Sequence, residues 1–318
     1  MTLIGHDDAW LQWREAMAGP RMHHAWLLAG KRGLGKAQFG QAAARELVAE
    51  EGQHQSEGHH PDIITLTNLP KDDKEEKKRE EGKSYETKRN ISVAQIRAMQ
   101  QRLNTRPTLG SRRVIIIDPA DDLEKSASNA LLKSLEEPPI GTFFVLVAHR
   151  PARLLPTIRS RCRVLRFAPL SDSQIGDLLN REAPDVDQVT RDAAVGAAGG
   201  SPGTALDFVQ RDLGPLNGLM REIAQSGDAN FVLRGRLAAA MGARPDRERI
   251  LAALDLARAV LAGEVASADT PRIPAIVDAH AELVTLSAQA PTYNFDAGLL
   301  VMEIGSLLAK AANPREAA

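Results

Sequence analysis

Cysteine is almost absent: Cys162 is the only one in 318 residues. That excludes a disulfide framework within the chain and a cysteine-based zinc site, and it fits a reducing compartment. Long apolar runs are missing too, far short of the ~20 residues a membrane-crossing helix needs. The opening MTLIGHDDAW places acids where a secretion signal requires a basic stretch, so the expected location is cytoplasmic. Charge of one sign is also lacking. Forty Lys and Arg against 41 Asp and Glu leave a formal net charge of -1, with no global field for nucleic acid, so any DNA contact must come from a local patch. What remains is an ordinary globular composition, 43% hydrophobic, long enough for two or three domains.

Four short runs read as buried strands: residues 25–30 (AWLLAG), 62–66 (DIITL), 114–117 (VIII) and 143–147 (FFVLV). Continuous β-rich apolar runs of this kind suit a parallel sheet covered on both faces. Helical spacing over 36–50, 92–103 and 126–137 separates them, and Pro138-Pro139 stops the last. Alternation of strand and helix predicts a doubly wound α/β domain over 1–168. From 171 onward strand signals disappear. Alanine- and leucine-rich helical stretches follow, broken by the glycines at 199–203 and by a Gly/Pro/Asp stretch at 242–247, which predicts a small helical domain over 169–210 and a larger one over 211–318. Residues 71–90 interrupt the pattern with charges of both signs and almost nothing apolar. They read as an inserted solvated loop or frayed helix.

Residues 30–37, GKRGLGKA, follow the first strand and open a helix. Gly30, Gly33 and Gly35 let backbone N–H groups turn toward phosphate, and Lys36 can reach the terminal phosphates, as in the phosphate-binding pattern G-x-x-x-x-G-K-[ST]. Ala37 stands where a hydroxyl should hold magnesium. The acidic strand end, the second part of such a site, reads Ile117-Asp118-Pro119: Asp118 is placed for metal, but Pro119 fills the position of the glutamate that would orient the attacking water. Asp121 and Asp122 are expected at the start of the next helix, as capping carboxylates.

Taken in order, HHAWLLAGKRGLGK, SNALLKSLEEPP and TIRSRC resemble the AAA+ clamp-loader subunits of the bacterial DNA polymerase III holoenzyme, over roughly residues 1–210. The resemblance implies an AAA+ P-loop domain, a helical lid over 169–210 and an all-α collar over 211–318. It also shows further departures. Where hydrolysing members carry a polar γ-phosphate sensor, Ala148-His149 stand, and where they carry a Gly-Ser-x-Arg segment, this chain has Gly200-Ser201-Pro202-Gly203. The implied reading is a subunit that does not hydrolyse ATP itself. Arg161, flanked by Ser160 and Cys162, would then act as an arginine finger on a neighbouring subunit, or alternatively be an ion-paired surface arginine among Arg159, Arg163 and Arg166. Implied partners are gamma/tau and delta subunits, with the sliding clamp and primed DNA met through the assembly. The alternative is an active ATPase using Lys36 and Asp118. No cofactor or metal is expected. The zinc module of some relatives is replaced by a cysteine-free stretch, where His54, His59, His60 and Asp62 are the only candidate ligands. His23-His24 are expected to help position the glycine loop.

Overall fold

A computed structural model describes residues 5–49, 60–290 and 295–312. The chain divides into two compact units, Met1–Pro169 and Leu170–Ala318.

In the first unit, α1 (Asp7–Ala18) leads to β1 (Ala25–Ala29), α2 (Lys36–Val48), β2 (Ile63–Leu66), α3 (Asp73–Glu80) and α4 (Val93–Leu103). Then follow β3 (Arg113–Ile117), α5 (Lys125–Glu136), β4 (Thr142–Ala148), α6 (Pro156–Arg159) and β5 (Arg163–Arg166). The strands form one sheet in the order β2-β3-β4-β1-β5, with every pairing parallel. The parallel α/β reading is therefore met. Residues of one apolar run alternate between two cores: Leu27, Ile115, Ile117, Phe144 and Leu146 pack toward α4 and α5, and Trp26, Leu28, Val114, Ile116, Val145 and Val147 toward α1 and α2. Both faces are thus covered, which is why the centres of β1, β3 and β4 are continuous apolar runs. β5 is an edge strand with Leu165 buried and Arg163, Val164 and Arg166 exposed. Its sequence gives one inward residue and no apolar run.

The charged insertion is an ordered element. Asp72 caps α3 by accepting the backbone N–H groups of Lys74 and Glu75. Glu75 is buried, pairs with Lys78 at 2.7 Å and accepts the N–H of Glu86 at 2.7 Å, tying the returning chain to the helix. A polar centre thus replaces the apolar one the segment lacks.

The second unit is helical: α7 (Asp172–Glu182), α8 (Gln188–Ala198), α9 (Pro202–Gln210), α10 (Gly214–Ser226), α11 (Val232–Met241), α12 (Arg247–Glu264), α13 (Ile273–Gln289) and α14 (Ala297–Ala312). Side-chain oxygens of Ser171, Asp187, Ser201 and Asp246 cap α7, α8, α9 and α12. Buried Arg234 pairs with Asp228 at 2.9 Å and crosses Gly305, where an added Cβ would meet the arginine Cγ at 2.5 Å. Among the described residues, no helix is long and apolar enough to cross a membrane.

Candidate nucleotide site and arginine finger

The glycine loop lies at the carboxyl end of β1, where β4 and β5 flank that strand and the order of the sheet reverses, the usual crevice for ligands in open α/β sheets. Gly33 and Gly35 both have φ of 79°, a conformation that side chains resist. Gly30 is required for a different reason: a Cβ there would lie 2.5 Å from the carbonyl oxygen of Phe167. The loop is pinned from outside by His6, whose Nε2 lies 2.8 Å from the Leu34 carbonyl oxygen and whose ring packs at a tilt against Phe167. Burial lowers the His6 pKa below its ordinary value. Sequence reasoning passed over His6, and nothing at 28 residues' separation announces that bond.

Lys36 is buried and donates to the carbonyls of Gly30 at 2.7 Å and Lys31 at 2.5 Å. Burial pulls its ammonium down to about 8, against the opposing pull of Asp118 and Asp121. Asp118 closes β3, its N–H donating to Leu66 at 2.9 Å, and burial raises its carboxyl above the usual range although Lys36 works the other way. Lys36 and Asp118 thus feel each other's charge at the same end of the sheet, with the Lys36 ammonium bonded to loop carbonyls. Pro119 follows directly, and no proton acceptor stands in its place.

Asp121 and Asp122 are not helix caps. They lie in a short 3-10 turn, Ala120–Asp122, and α5 starts only at Lys125. The Asp121 carboxylate accepts the backbone N–H groups of His149 and Arg150, and Asp122 accepts from the Asn68 side chain at 3.0 Å. Both are held by structure at the expense of proton transfer. His149, after β4, is pushed down to about 4, first by burial and then by Lys36, so its ring is neutral at pH 7. Its Nδ1 is buried with no hydrogen-bond partner.

Arg161 lies at the other end of the sheet. Arg163 pairs in register with Trp26, at the start of β1, whereas the glycine loop leaves the end of that five-residue strand. The two are separated by about 16 Å along the strand direction. Arg161 cannot reach its own phosphate loop. Its Nη2 pairs with Glu136 Oε1 at 2.5 Å, and its Nη1 donates to the Thr157 carbonyl at 2.9 Å. Ser160 donates to the same carbonyl at 3.1 Å, while Cys162 packs into the core and burial pushes its thiol up to about 12. Arg161 is thus ion-paired and partly exposed, as the surface-arginine alternative expects, with its acid on α5.

Residues 5–171 match the sequence profile of the family described as DNA polymerase III, delta subunit, which is more than half of the chain. The relatives point the same way. The delta' subunit of DNA polymerase III from Escherichia coli K12 is 35% identical over 204 residues, covering 60% of this chain and 56% of the relative. The delta' subunit from Pseudomonas aeruginosa is 32% identical over 211 residues, covering 61% and 59%. The chain belongs to the family described as DNA polymerase III, delta subunit. The matched stretch spans a little over half the length of these relatives. A gamma subunit-related protein from Thermotoga maritima has the same fold, with a TM-score of 0.50 at 17% identity over 96% of this chain and all of the other.

Within that family frame, the Gly200–Gly203 segment is a helix start: Ser201 caps α9 by accepting the Thr204 N–H, and Pro202 takes the first helical position. His24 corrects another expectation. Its Nε2 lies 2.8 Å from the Leu135 carbonyl and its own carbonyl accepts from Phe144, so it fixes the start of β1 to the end of α5, not the glycine loop. His54 and His59 lie outside the described residues. Asp62 is committed to structure, accepting the N–H groups of Thr108 and Leu109 at 2.6 and 2.8 Å beside Arg113.

Proposed function

We propose that this chain works as the non-hydrolysing delta' subunit of a clamp loader and contributes Arg161 to the ATP site of the adjoining subunit. One relationship carries the reading: the phosphate end of the sheet lacks a magnesium hydroxyl at Ala37 and a base at Pro119, while Arg161 is intact at the opposite end. A guanidinium is a permanent planar charge suited to a terminal phosphate, and a finger supplied in trans contributes about 10³–10⁵ in rate. The partners in this reading are gamma/tau and delta subunits, with the sliding clamp and primed DNA engaged by the assembled loader. Residues 1–168 serve as the AAA+ domain, 169–210 as lid and 211–318 as collar. Lid and collar would share a boundary, since α8 packs on α10 and α12.

The proximity of Lys36 to Asp118 supports a second reading, an ATPase acting on its own. Two measurements separate them. Under the first reading, Arg161→Ala leaves the loader assembled but lowers its ATP hydrolysis, and Arg161→Lys restores only part, because an ammonium lacks the planar fork. Wild-type hydrolysis and clamp loading by the assembled Arg161→Ala complex would reject it. Magnesium-dependent turnover by the isolated chain, abolished by Lys36→Ala, would establish the second.

A further inference from the structure

We propose that Glu136, the last residue of α5, is a positioning residue that holds Arg161 ready for a phosphate on the adjoining subunit. The inference rests on the reading of Arg161 as a finger. Its ground is the way both members of the pair are anchored. Leu135, next to Glu136, is buried, and its carbonyl is bonded to His24 on the chain entering β1. Ile158 and Cys162, on either side of Arg161, pack into the same core as Leu135. Carboxylate and guanidinium are therefore fixed to one rigid body through residues adjacent to each, and the 2.5 Å ion pair joins two prearranged points.

Stability does not explain the pair. Glu136 and Arg161 side chains are 48% and 35% exposed, and ion pairs so open to water add little to folding. The charge around Arg161 gives the acid a task. From Pro138 to Ser171 the chain carries six arginines, at 150, 153, 159, 161, 163 and 166, and no acid at all. Left alone, the Arg161 side chain is repelled by its basic neighbours and free to rotate. With Glu136 on Nη2 and the Thr157 carbonyl on Nη1, the guanidinium plane is set from two sides, and its other N–H groups stay available to donate. A fork fixed before the phosphate arrives loses less freedom on meeting it.

The test uses the assembled loader with clamp and primed DNA, measuring kcat and KM for ATP with this subunit as wild type, Glu136→Gln, Glu136→Asp, Arg161→Ala and Glu136→Gln/Arg161→Ala. Glu136→Gln is expected to lower kcat about two- to fivefold, the range of a partly exposed ion pair, with KM unchanged and assembly intact. Glu136→Asp recovers part of the loss, and in the Arg161→Ala background Glu136→Gln has no further effect. A wild-type kcat for Glu136→Gln alongside a reduced one for Arg161→Ala overturns the role of Glu136 and leaves the finger standing. The same holds if Glu136→Gln lowers kcat equally in the Arg161→Ala background. Wild-type kcat for Arg161→Ala overturns both.

Discussion

Asp121 accepts the backbone N–H of His149 at 2.8 Å and that of Arg150 at 3.2 Å, joining the turn after β3 to the end of β4. The carboxylate is itself only 2% exposed. Replacing it with alanine leaves the N–H groups of His149 and Arg150 without their acceptor, a loss of about 1–3 kcal/mol. Asp121→Ala should therefore lower the urea midpoint with the slope unchanged, and Asp121→Asn should lose less. An unchanged midpoint would show that these bonds contribute nothing.

Isolated chain should show no ATP turnover above that of Lys36→Ala. Lys36 already donates to two loop carbonyls, while Ala37 and Pro119 remove the metal hydroxyl and the base. A positioned base alone is worth about 10²–10⁴ in rate. Phosphate release measured with and without magnesium decides the matter.

Cys162 should make the folded chain less stable as pH rises from 9 to 12. Burial lifts the thiol from 9.0 to about 12, so over that interval the unfolded chain releases a proton that the folded chain keeps. Fewer protons bound in the unfolded state means stability falling with pH. Cys162→Ala should flatten this part of the urea midpoint profile relative to wild type. At pH 8 a thiol reagent should label the native protein slowly and the urea-unfolded protein fast.

A chain cut after Pro169 should unfold cooperatively on its own, since both cores of the sheet are built from residues before that point. A cut near 210 should be worse, because it strips α8 of its packing against α10 and α12. Thermal melts of the two fragments should differ in sharpness. A broad transition for the shorter one would contradict the division.

Much of the first unit was legible because buried parallel strands need continuous apolar runs, and VIII and FFVLV could hardly be anything else. β5 was not, since RVLR at an edge buries only Leu165. The glycine loop, Lys36 and Asp118 were visible as a local pattern, and their meeting follows from strand order. Partners distant in sequence were out of reach: His6 on Leu34, Asp121 on His149 and Glu136 on Arg161 are separated by 25 or more residues and share no periodicity. Capping by Asp121 and Asp122 was misread because acids before a helix usually cap it, whereas here a 3-10 turn intervenes.

Because all strands point one way, the first unit has a direction, like an arrow with different chemistry at tip and tail. Subunits of this design that join tip to tail form a heterologous chain with a sense of travel. A member with the roles proposed above, a silent tip and a live tail, would assist the neighbour on one side only. Under the function proposed above, such a member would stand at one terminus of an arc, beside one joint at which no ATP is turned over.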